Sequence, residues 1–191
     1  GSVRTHAGVT GRSIIELPAG LCVFMHFPPT IQPTGKLIGK IIQPPDAHQI
    51  DEPLASFGDA STFNCASFAL GSLLDLGPDV WIEPIARSDT FYTVPAEVVL
   101  NSYCDMTLEI ELDNINWEEL ATDPALRKGD IVGYAKSIGG RVAFTHMGKI
   151  RKTAGRNLLI SKLGTGPIVE SSLEDCGNAF GFDTLRIYRA R

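Results

Sequence analysis

Apolar and polar positions are spaced in three different ways along this chain, and each spacing predicts a different kind of structure. In residues 3–60 the apolar runs are short: Ser13-Ile14-Ile15-Glu16-Leu17, Leu21-Cys22-Val23-Phe24-Met25 and Lys36-Leu37-Ile38-Gly39-Lys40-Ile41-Ile42. Pro18, Gly20, Pro28-Pro29, Pro33, Gly35, Pro44-Pro45 and Pro53 separate them, which predicts short strands and loops. From residue 64 the period becomes helical, with Ala66, Ala69, Leu70, Leu73 and Leu74 on one face. Asn64 suits an N-cap and Gly77-Pro78 a stop, so a helix is predicted over residues 64–76. A polar and aromatic loop follows over 80–92. A second helix begins near Thr93, with Pro95 in its first turn, and runs to about Cys104. Residues 107–112 alternate strictly, as in a strand with one wet face, and 116–120 read as a brief helix or turn.

The last third is a succession of strands, predicted over 130–134, 142–150, 157–163, 167–170 and 184–189. Helices followed by an antiparallel meander make an α+β fold. The expected organisation is an N-terminal strand-and-loop extension over 1–60 and a domain over 61–191. Asp46-Ala47-His48 is expected in a solvated loop.

Composition narrows the function classes. The 191 residues are 43% hydrophobic and 20% charged, enough for one cored domain, and the formal net charge is −5. No basic run or aromatic-basic ladder appears, so nucleic acid is not an expected partner. No apolar run approaches the roughly 20 residues that span a bilayer. Gly1-Ser2 reads as an expression scar, which leaves the natural start and any leader segment open. Cys22, Cys65, Cys104 and Cys176 form no CxxC pair and do not cluster with His6, His26, His48 or His146, so neither a metal site nor a cofactor is expected. One reactive and three packed cysteines are the simplest division.

Cys65 is the candidate nucleophile. It occupies the first turn after Asn64, where the helix dipole is expected to lower a thiol pKa. The ordinary alternative is a buried structural cysteine. His146 is the one histidine inside a clear strand, whose alternation puts Val142, Phe144, His146, Gly148 and Ile150 on one face. A lone histidine there is usually a packed core residue. If Ile150 faces Asn157 across a turn at 151–156, His146 faces Ser161, whose hydroxyl could orient the imidazole. Asp130 of Gly129-Asp130 reads as a turn residue leading into a strand.

Asn64-Cys65-Ala66-Ser67-Phe68-Ala69-Leu70, Gly129-Asp130-Ile131-Val132 and His146-Met147-Gly148 together resemble the NlpC-type branch of the papain-like cysteine peptidases. Ser161-Lys162-Leu163-Gly164 and residues 167–175 also resemble a poorly characterised bacterial subgroup of that superfamily. The resemblance covers about residues 61–189 and implies a nucleophile helix packed on an antiparallel meander, in a cysteine hydrolase domain over 61–191 with an insertion at about 78–127. It further implies Cys65 as nucleophile, His146 as base and a polar orienter on the next strand. Ser161 holds that last position where the family more often has His, Asn or Gln, with Asn157 and Glu170 as reserves. The implied activity is amide hydrolysis, with an oxyanion met by the Cys65 N–H and by Asn64. Its partner would be a peptide, a peptidoglycan or a protein substrate. A toxin or effector that cleaves or deamidates a host protein fits the same residues, as does a non-catalytic papain-like binding module.

Overall fold

The computed structural model describes residues 3–5, 12–17, 21–26, 41–50, 63–74, 82–84 and 94–191. Near the N-terminus β1 (Val3–Thr5), β2 (Arg12–Leu17) and β3 (Leu21–His26) form a three-stranded antiparallel sheet, as two of the short apolar runs predict. The run predicted over 36–42 is described only from residue 41, and most of the loop predicted over 80–92 lies outside the described residues. The chain is mixed α+β, built on a seven-stranded antiparallel sheet. In chain order its strands are β4 (His48–Gln49), β7 (Cys104–Glu111), β8 (Ile131–Ile138), β9 (Arg141–Thr153), β10 (Arg156–Lys162), β11 (Ile168–Ser171) and β12 (Thr184–Ala190). Across the sheet they run β4-β11-β10-β9-β8-β12-β7. β5 (Ile82–Glu83) and β6 (Val94–Pro95) pair in parallel beside it.

Two apolar clusters cover the two faces. On one, α1 (Cys65–Leu70) and α2 (Ala96–Tyr103) bury Ala66, Ala69, Leu70, Val99 and Leu100 against Ile131, Phe144 and Met147. On the other, α3 (Trp117–Thr122) and α4 (Leu173–Phe180) bury Leu120, Leu173 and Cys176 against Val132, Tyr134, Ile150 and Leu159. Each fully buried large apolar side chain contributes about 1.5–3 kcal/mol, so these clusters hold the sheet between its helices.

Within the stretch expected as an insertion, α2 is core, and β7 is an edge strand hydrogen-bonded along β12. Two expectations are corrected. Residues 46–48 are not a free loop. His48 and Gln49 pair with β11, and Asp46 Oδ2 accepts the N–H of Ser172, so residues 41–50 belong with the sheet rather than with an extension. The predicted long helix is six α-helical residues and a 3₁₀ turn, Gly71–Leu74. The α4 helix was not anticipated from the apolar pattern.

Candidate active site

At the start of α1 the Asn64 carboxamide accepts the Ser67 N–H at 2.8 Å, the N-cap bond its sequence position predicts. The same side chain donates through Nδ2 to Ile82 O, while Ser67 Oγ accepts the Ile82 N–H. Asn64 thus clamps β5 to the helix through both ends of its amide. All six residues of α1 are buried.

Burial reverses the expected electrostatics of Cys65. The thiol lies against the backbone N–H groups of Met147, Ala66 and Cys65 itself, and Lys162 adds favourable charge. Desolvation nevertheless dominates and pushes its pKa up to about 11. A helix N-terminus supplies at most ~2 kcal/mol, whereas full burial can move a pKa by about 3–5 units. The lowered pKa expected from the dipole is therefore not found.

His146 lies on β9 at a bulge. Ala135 pairs with Phe144 and Tyr134 with His146, which leaves Thr145 as the extra residue of the ladder, its hydroxyl donating to Tyr134 O at 3.2 Å. The extra residue breaks the alternation, so Phe144 and His146 do not share a face as predicted. Phe144 packs with α1, while the imidazole turns to the α4 side and stacks on Phe180, centroids 3.9 Å apart and planes 3° apart. Tyr134 is the next ring, at 6.3 Å. His146 Nε2 is buried without a hydrogen bond, and desolvation lowers the imidazole pKa to about 3.

The hairpin register also differs from expectation. Thr153 pairs with Arg156 around Ala154-Gly155, both at positive φ, so the loop has two residues instead of six. Ile150 then faces Leu159, and Asn157 faces Lys152. The β9–β10 ladder ends at the pair Lys149–Ile160 although both strands continue, and continuation of that register would set Leu163, not Ser161, against His146. Ser161 instead pairs with Val169 of β11, and its buried hydroxyl, like that of Ser171, makes no hydrogen bond. Asn157 donates to Leu120 O and Asp123 O, closing the end of α3. Glu170 pairs with Arg151 at 3.3 Å and His48 at 3.4 Å. Asp130 is held bidentately by Arg189 and accepts the Arg127 N–H, which confirms its turn role.

Cys65 opens α1, the helix that packs on the face of β9 opposite His146's stack on Phe180, and His146 lies on β9 itself. The thiol rests on the N–H of the residue that follows His146, while the ring faces Phe180. Gly148 explains the His-x-Gly spacing: a Cβ there would lie 2.6 Å from Ile160 O, so β9 and β10 could not approach as they do. Phe180 and Cys176 were missed because nothing in the apolar pattern marked α4. Among the described residues no group of three potential metal ligands occurs, and no helix is long and apolar enough to cross a membrane. No protein-family model, curated protein or solved structure matches the chain.

Proposed function

We propose that this chain is a cysteine hydrolase of amide bonds, with Cys65 as nucleophile and His146 as general base. The observation that supports this best is the Cys65 thiol resting on the Met147 N–H, one residue from His146. In the reaction His146 takes the thiol proton as sulfur bonds to the substrate carbonyl carbon, and the carbonyl electron pair moves onto oxygen. The Cys65 backbone N–H at the helix start meets that oxyanion. Collapse expels the amine, which takes the proton from the imidazolium. Water, deprotonated by His146, then cleaves the thioester to give the acid and the free thiol. Peptides, peptidoglycan stem peptides and glutamine side chains are the substrate classes.

The test uses fluorescein-labelled casein, purified peptidoglycan sacculi and a glutamine peptide read by ammonia release. Turnover of one of them should fall by about 10³-fold or more in Cys65→Ala and in His146→Ala. Unchanged turnover in Cys65→Ala overturns the assignment. A second reading, a papain-like binding module, is favoured by one observation: both groups are buried and neutral at pH 7. It predicts no turnover of any of the three by the wild type.

A further inference from the structure

His146 is 1% exposed, and its Nε2 has no hydrogen-bond partner. A buried polar atom left in that condition costs about 1–3 kcal/mol, so other contacts must hold the ring. Phe180 supplies the main one. It is the last residue of α4, it is half-buried, and its face lies flat on the imidazole at 3.9 Å. Beside it, the bulged Thr145 donates its hydroxyl to Gly181 O at 2.6 Å, so the end of α4 is clasped to β9 at two adjacent points. The opposite end of α4 is latched separately. Asp46 accepts the Ser172 N–H there, and Ser172 Oγ accepts the Asp175 N–H. Phe182 is anchored against Tyr134. The turn at residues 180–181 lies between these two anchors.

We propose that Phe180 is a positioning residue that gates the site: stacked as observed, it keeps the His146 imidazole turned from Cys65, and its displacement frees the ring to reach the thiol. The inference rests on the reading of Cys65 and His146 as nucleophile and base. It accounts for a buried imidazole whose Nε2 has no hydrogen bond.

Two readouts test it. The first is NMR titration of His146 in the wild type and in Phe180→Ala, Phe180→Leu and Phe180→Tyr, repeated with Cys65→Ala. The second is the rate of Cys65 alkylation by iodoacetamide at pH 7. Removal of the flat ring should raise the His146 titration from about 3 by at least one unit, about a tenfold change in proton affinity. Cys65 labelling should accelerate at least about tenfold, because a freed imidazole generates thiolate. Phe180→Tyr keeps the stack and should match the wild type. Should Phe180→Ala fail to fold by circular dichroism, Phe180→Leu carries the same expectation. Unchanged titration and labelling in the folded variants overturn the gate, whatever the turnover. Faster labelling with no turnover of casein, sacculi or glutamine peptide keeps the gate and removes the hydrolase reading.

Discussion

Acid should destabilise this fold through His146, by an amount the structure sets. The imidazole titrates at about 3 when folded, against 6.5 in the unfolded chain, because burial excludes its charged form. A depressed folded pKa contributes stability that is complete above the unfolded value and is lost as pH falls toward the folded one. At about pH 4 the unfolded chain binds the proton almost fully and the folded chain hardly at all. Acidification from about pH 7 to about pH 4 therefore removes about 3 kcal/mol through this single group. Against a usual total of about 5–15 kcal/mol, that is a large share. The assay is urea unfolding followed by tryptophan fluorescence in the wild type and in His146→Leu, which cannot titrate. The stability of the wild type relative to His146→Leu should fall by about 3 kcal/mol between about pH 7 and about pH 4. Carboxylates common to both proteins cancel from that difference. A difference that stays constant with pH would refute the burial argument, as would a His146 resonance titrating near its ordinary value.

Cys65 should be slow to react in the native protein. Its pKa rises from 9.0 to about 11, so at neutral pH it should react with iodoacetamide about 100-fold more slowly than in the guanidinium-unfolded chain. Mass mapping of the label reads this, and a rate that levels off below about pH 8 would mean that the helix dipole wins after all. Gly148→Ala should destabilise by about 1–3 kcal/mol in urea titrations, since the added methyl meets Ile160 O at 2.6 Å and Leu159 at 2.8 Å.

Much of this architecture was legible where local signals agreed. The strands at 130–134, 142–150 and 184–189 carry plain alternation between turn residues, and each is found. The Asn64 cap was legible because capping depends on one side chain and one nearby N–H. The register was not, because it depends on the turn. Ala154-Gly155 lacks the Asn-Gly or Asp-Gly signature of a two-residue loop, and a wider turn displaced every cross-strand pair by two. The bulge at Thr145 has no glycine to announce it, yet it alone decides which face His146 takes. The α4 helix was hidden by its composition, with Glu174, Asp175 and Gly177 in eight residues. Its start is capped by Ser172 and by Asp46, which is remote in sequence. The thiol pKa depends on burial, a tertiary quantity to which a spacing argument has no access.

The position of β12 has a consequence for how the molecule is assembled. Residues 184–190 lie between β8 and β7, two strands that never touch each other in the sheet, and hydrogen-bond to both. Arg189 meets Asp130, and Arg191 reaches Asp105 and the end of α2. Until these residues are available, the β8–β11 meander can form from local hairpins, but β7 has no strand to pair with. Loop-closure entropy must be spent on these distant contacts before they return any stability. Synthesis from the N-terminus thus leaves β7 with both edges bare while the meander folds. Closure waits for β12, which makes it the keystone of the folding order and the interval before its arrival the period of greatest exposure to aggregation.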